Sequence, residues 1–253
     1  MNSKIYGLDK VLSHLADYND CYVIIGGTAT KILLEDQGLE FRETKDLDIV
    51  LLADGSNKEF ANSIAMFLKQ GKYQNAFSNG RRVCYRFINP ETNGYPLIVE
   101  LFAGENSKSI EKYLKKIPIV IDDEQLSAIV LEQEAFEFAR LRKVLSKEQV
   151  PIIDPLGLIV LKSYAYFENL ALYEKKIIME KGKYLKHKSD VIRLLLSLKS
   201  GEQPIDVPIF LKDYCKRFVD VLKSSNDTYR NIPHGSVNLH NLVELYKRLF
   251  LGE

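Results

Sequence analysis

The chain has 253 residues, with 35 Lys and Arg against 34 Asp and Glu, for a formal net charge of +1; 46% of it is apolar and 27% charged. Such values are close to those of ordinary globular proteins, which excludes disorder, collagen and coiled coil. Near-neutrality also excludes a polycation that coats nucleic acid indiscriminately, so any such contact has to come from a local patch.

This length accommodates one large domain or two modest ones. The opening stretch, Met1 to Lys10, is polar and carries no apolar signal-peptide core. No apolar run approaches the ~18 residues needed to cross a bilayer. Cys21, Cys84 and Cys215 are far apart and form no CxxC pair; they suit buried thiols in a reducing compartment. The expectation is a cytoplasmic protein with no membrane partner.

Leu8, Val11, Leu12 and Leu15 recur at helical spacing and predict a short amphipathic helix. Tyr22 to Ile25 reads as a buried strand that stops at Gly26-Gly27, after which Thr28 can cap a helix through Ala29, Ile32 and Leu33. Asp46 to Leu52 is the next strand, followed by a helix near Phe60 to Leu68. Arg82 to Ile88 and Pro96 to Phe102 read as two strands joined by the hairpin loop Asn89 to Gly94. Ile117 to Ile121 and Ser127 to Leu131 also look like strands. This order predicts an α+β domain built on a mixed sheet over residues 1–150.

The texture changes after Val150. Asp154-Pro155 is a helix start, with Asp as N-cap and Pro at the first helical position. From Leu156 onward the apolar residues recur at helical spacing, which predicts an α-helical domain over 151–253.

The chemistry concentrates in Gly26-Gly27-Thr28 and in Phe41-Arg42-Glu43-Thr44-Lys45-Asp46-Leu47-Asp48. On a strand, Asp46 and Asp48 point to one face and Leu47 and Ile49 to the other. At ~5 Å and an effective dielectric of ~20, two such carboxylates repel by about 3 kcal/mol. A hard divalent ion removes that cost, because Mg²⁺ takes one or two carboxylates together with phosphate oxygens and water. Glu100 interrupts the apolar run Leu97 to Phe102, where a charge is seldom left unpaired. If its strand lies beside that of Asp46, three carboxylates converge as the metal ligands of a phosphoryl transfer. Gly26-Gly27 at a strand-to-helix turn offers backbone N–H groups and a positive helix end to a phosphate.

Gly-Gly-Thr-Ala followed by Phe-Arg-x-Thr-Lys-Asp-Leu-Asp resembles the DNA polymerase β-type nucleotidyltransferase superfamily, and within it the AbiEii-type branch, which includes toxins of type IV toxin–antitoxin systems. Leu161-Lys162 in an apolar helix, and Lys186-His187-Lys188-Ser189-Asp190-Val191 opening another, are similar to that branch's two downstream motifs. The last sixty or so residues carry no motif of the group.

The resemblance implies a nucleotidyltransferase domain whose mixed sheet holds the metal site, and a helical domain that closes the nucleotide cleft. Asp46, Asp48 and Glu100 would bind Mg²⁺ or Mn²⁺, and Gly26 and Gly27 would cradle the triphosphate, with Thr28 as a hydroxyl donor. Lys162 would meet phosphate charge, with Asp190 as a further catalytic group and Lys188 as a nucleotide contact. The implied partners are an NTP, an acceptor RNA (such as a tRNA 3′ end) or protein, and an antitoxin.

Several residues admit a plainer role. Asp46 and Asp48 can mark a solvated strand end, and Glu100 can pair with Arg82 or Arg86. Arg42 either orders the loop before the Asp pair or contacts phosphate. Lys162 can snorkel, and Asp190 can complement a helix dipole from the first turn. The lysines from Lys175 to Lys188 form either a solvated face or a patch for a polyanion such as RNA. Tyr164, Tyr166, Tyr173 and Tyr184 near them read as core. The expected activity is transfer of a nucleoside monophosphate to an acceptor hydroxyl. The alternatives are a nucleotide-binding module without turnover and an enzyme that modifies a small-molecule antibiotic.

Overall fold

The structure, a computed structural model, describes residues 5–53, 57–78, 81–104 and 129–253. It divides into two compact units, Met1–Ile153 and Asp154–Glu253.

In the first unit, α1 (Leu8–Leu15) buries Leu8, Val11 and Leu15, the stripe that its spacing predicts. After a short 3₁₀ turn come β1 (Tyr22–Ile25), α2 (Gly26–Glu35), β2 (Asp46–Leu51), α3 (Lys58–Gly71), β3 (Gln74–Ser78), β4 (Arg81–Ile88) and β5 (Ile98–Gly104). Beyond them are β6 (Ile129–Leu131), α4 (Gln133–Leu141), β7 (Lys143–Leu145) and β8 (Pro151–Ile153). The strands form one mixed sheet in the order β3-β4-β5-β2-β1-β8-β7, with β6 paired to β5 off that path. β1 is antiparallel to β2, β2 parallel to β5, and β5 antiparallel to β4. β4 pairs β5 over Ile98–Glu100 and β6 takes up Phe102–Gly104, so β5 is paired along most of its length. That central position explains the burial of Val99, Leu101 and Ala103 on β5 and of Leu47, Ile49 and Leu51 on β2.

Some expectations change. α2 begins at Gly26, with Ile25 in the cap position and no side-chain cap, so Thr28 lies inside the first turn rather than capping it. The polar edge strand β3, the helix α4 and the three-residue strands β7 and β8 were not expected. β8 runs parallel to β1 and carries the sheet unit past residue 150 to Ile153. The strand expected at Ile117 to Ile121, and Ser127 with the residue after it, lie outside the described residues.

The second unit is helical: α5 (Pro155–Glu174), α6 (Gly182–Ser197), α7 (Ile209–Lys223), α8 (Asn226–Arg230) and α9 (Leu239–Phe250). Asp154 caps α5 by accepting from the Gly157 N–H at 2.7 Å. Leu195, Leu211, Phe218, Leu222 and Leu242 are among its fully buried side chains. Cys215 is buried, and burial pushes its thiol up to about 11. Among the described residues, no helix is long and apolar enough to cross a membrane.

Candidate nucleotide and metal site

β1 ends at Ile25 in extended conformation, and the chain turns into α2 at Gly26 with φ of 69°. That left-handed conformation favours glycine. Space demands it as well, since a Cβ on Gly26 would lie 1.8 Å from Asp48 Oδ2. At Gly27 a Cβ would lie 2.7 Å from Thr44 Oγ1. The missing side chains thus let the turn close onto the strand that carries the Asp pair.

Hydrogen bonds tie this turn to the start of β2. Thr28 Oγ1 donates to the Asp46 carbonyl at 2.8 Å, and Thr44 Oγ1 donates to the same oxygen at 3.4 Å. Thr30 Oγ1 donates to the Gly26 carbonyl at 2.7 Å. The Thr28 hydroxyl proton, expected to serve a phosphate, is engaged by the protein backbone. Thr44 belongs to the Phe-Arg-x-Thr-Lys-Asp-Leu-Asp pattern but is assigned no role of its own there; its place two residues before Asp46 suits a strand-entry hydroxyl.

Registration places one residue from each of four adjacent strands in a row. Ile25 on β1 pairs with Asp48 on β2, Asp48 with Glu100 on β5, and Glu100 with Arg86 on β4. Cross-strand partners leave the same face of a sheet, so both carboxylates share a side with the Arg86 guanidinium. Asp46, two residues before Asp48, shares that face and is paired with Ile98. These four polar side chains are half-buried.

The donor chemistry suits a hard cation, because carboxylate oxygens are the ligands that Mg²⁺ and Mn²⁺ prefer. The backbone of the glycine turn approaches the Asp48 carboxylate closely. Glu100 is differently placed, since its Oε1 lies 3.1 Å from Arg86 Nη1. This ion pair uses one of the two carboxylate oxygens. Among the described residues, no group of three or more His, Cys, Asp or Glu stands close enough to hold a metal. The Asp pair thus offers carboxylate oxygens of the kind the ion prefers, while Glu100 is drawn towards Arg86, as the plainer reading of that residue allowed. Arg42 is exposed, its guanidinium 4.9 Å from the Phe41 ring centroid.

In the helical unit, Lys162 on α5 and Asp190 on α6 form a buried ion pair, with Lys162 Nζ 2.7 Å from Asp190 Oδ2 and side chains 3% and 1% exposed. Asp190 lies well inside α6, which begins at Gly182, so it does not complement the dipole from the first turn. Lys188 is half-buried, and burial pushes its ammonium below the usual lysine range, against the opposite pull of Asp227. Tyr166 and Tyr173 each pack a ring on Tyr184 at 5.5 Å, and Tyr164 packs on Tyr214 at 4.8 Å.

No family model and no curated protein sequence matches the chain. Among solved structures, the chain is similar to the antibiotic-resistance factor ANT(2'')-Ia, determined in solution, at 11% sequence identity and a TM-score of 0.39. The match covers 89% of this chain and 96% of that chain.

Proposed function

We propose that the chain transfers a nucleoside monophosphate from an NTP to an acceptor hydroxyl, with release of pyrophosphate. The observation that carries this reading is the contact between the Gly26 turn and the Asp48 carboxylate, with Glu100 in register beside it. A phosphate-holding turn and an acidic strand are thereby brought together, as phosphoryl transfer requires.

Gly26 and Gly27 open α2, so their N–H groups lie at its positive end and suit the triphosphate. Asp46 and Asp48 would hold Mg²⁺ or Mn²⁺, with Glu100 contributing through the oxygen not engaged by Arg86. When bound, the ion supplies charge neutralisation and lowers the pKa of the attacking hydroxyl. Arg42 would contact phosphate. Thr28 and Thr44 hold the turn and the strand in register through the Asp46 carbonyl. Nucleotide-binding roles for Lys162, Asp190 and Lys188 rest on the motif resemblance; the buried Lys162–Asp190 pair supports a part in joining α5 to α6.

The exposed lysines around the start of α6 support a polyanionic acceptor, so RNA is the first choice and a protein hydroxyl the second. A toxin role opposed by an antitoxin, and residence in the cytoplasm, rest on the sequence alone. The Arg86–Glu100 pair favours a second reading, a nucleotide-binding module without turnover.

The test is incubation with each α-labelled NTP, Mg²⁺ or Mn²⁺, and total cellular RNA or protein. Label in RNA or protein that disappears with Asp48→Asn supports transfer. Saturable NTP binding with no labelled product supports the module, and neither binding nor label sinks both readings.

A further inference from the structure

Lys31 lies in α2, a turn beyond the glycines, with 1% of its side chain exposed. An ammonium so deeply buried is costly unless it is paired. Glu43 Oε1 meets it at 2.8 Å and Glu35 Oε1, on the same helix, at 3.7 Å. The Glu43 side chain is itself 73% exposed, so burial does not hold it in place; the lysine does.

Glu43 belongs to the segment between the end of α2 at Glu35 and the start of β2 at Asp46. Thr44, next in the chain, has its Oγ1 against Gly27 and donates to the Asp46 carbonyl. One helix thus carries the glycine turn at its start and, on its buried side, the cation that grips the segment leading to the Asp pair. A lysine suits the place, because its long stem reaches out from the helix and its three donors serve more than one carboxylate.

We infer that Lys31 is a positioning residue: through Glu43 it clamps the segment before β2 onto α2, and so sets Thr44 and Asp46 against the glycine turn. The inference rests on the proposed role of Asp46 and Asp48. It assigns Lys31 no contact with nucleotide, metal or acceptor.

Lys31→Met, Lys31→Arg and Glu43→Gln test it, each read by thermal midpoint, by amide exchange across residues 43–46, and by kcat and KM for the NTP. Replacing a buried ion-pair member with an apolar stem usually destabilises when it strands a buried partner. Here the nearer partner left behind, Glu43, is exposed, and the farther one, Glu35, is 24% exposed and still reaches water, so the midpoint of Lys31→Met should change little. Exchange across 43–46 should quicken by about tenfold as the segment opens locally. kcat should fall by up to about 10²-fold, the scale of a small misplacement of reacting groups, with KM little changed.

Glu43→Gln, at an exposed position that tolerates the change, should reproduce both effects, and it decides the matter if Lys31→Met does not fold. Lys31→Arg should recover much of the loss. Wild-type exchange in Glu43→Gln and in folded Lys31→Met overturns the clamp. Quickened exchange with unchanged kcat overturns the positioning role. Exchange needs no turnover, so a wild-type protein that transfers no nucleotide defeats the proposed function and leaves the clamp to be decided by exchange.

Discussion

Asp48 and Glu100 are register partners on parallel strands, so their carboxylates leave the sheet side by side on one face. Neighbouring strands lie ~4.8 Å apart, and like charges placed directly opposite each other weaken a sheet. Arg86, next in the same row, answers Glu100. Asp48 meets the backbone of the Gly26 turn on its other side.

The Asp pair is tested by Asp46→Asn and Asp48→Asn. Each removes one charge and keeps the side-chain shape, so the metal-free protein should keep or gain thermal stability. Transfer should fall by about 10²–10³-fold, as when one group that meets developing charge is removed. Full Mg²⁺-dependent turnover in either variant would show that the acidic strand is not the site.

Glu100 and Arg86 can be separated. Both side chains are partly exposed, 21% and 34%, so breaking their pair should cost no more than about 1 kcal/mol. Glu100→Gln and Arg86→Met should therefore unfold at nearly the same temperature as the parent. If Glu100 serves the ion, Glu100→Gln alone should raise the Mg²⁺ concentration needed for half-maximal rate. Equal behaviour of the two variants would make Glu100 a partner of Arg86 and nothing more.

The glycines make different predictions. Gly26→Ala must adopt a left-handed conformation, which costs an L-residue about 1–2 kcal/mol, and its Cβ would meet Asp48 Oδ2 at 1.8 Å. It should lower the denaturation midpoint and abolish transfer. Gly27→Ala meets the Thr44 side chain, its Oγ1 at 2.7 Å and its Cβ at 3.5 Å, so Thr44→Ala in the same chain should restore part of the loss. A double-mutant cycle measures that coupling; strictly additive effects would show that the Gly27–Thr44 approach is not a real constraint.

Much of the sheet could be read from residues whose pattern is local. Tyr22 to Ile25 is an unbroken apolar run, and Asp46 to Leu51 adds two acids at strand spacing. Asp154-Pro155 announced α5 because capping chemistry is also local. β3 (Gln74–Ser78) stayed hidden because an edge strand that begins Gln-Asn lacks apolar alternation, and β7 and β8 are too short to show a period. The ion pairs were out of reach for another reason. Lys31 meets Glu43 across 12 positions and Lys162 meets Asp190 across 28, and no spacing rule connects residues brought together only by packing. Arg86 was one of two partners considered for Glu100, and registration, not composition, selected it.

Lys162 and Asp190 carry the last prediction, because their burial makes the sign of each change definite. Removing one member of a buried ion pair strands the other charge and typically costs about 3–5 kcal/mol. Asp190→Asn removes the carboxylate 2.7 Å from the Lys162 ammonium, which is 3% exposed, and should lower the denaturant midpoint. Lys162→Met strands the Asp190 carboxylate, 1% exposed, and should cost a similar amount. Replacing both, as Lys162→Met with Asp190→Leu, removes the desolvation cost together with the attraction, so the double variant should be more stable than either single one. Urea denaturation of the four proteins gives the coupling directly. If the double variant keeps its fold and still transfers nucleotide, the pair joins α5 to α6 and has no part in the chemistry. If it is stable but inactive, while surface Lys223→Met is unaffected, the charges serve the reaction as the motif resemblance implies.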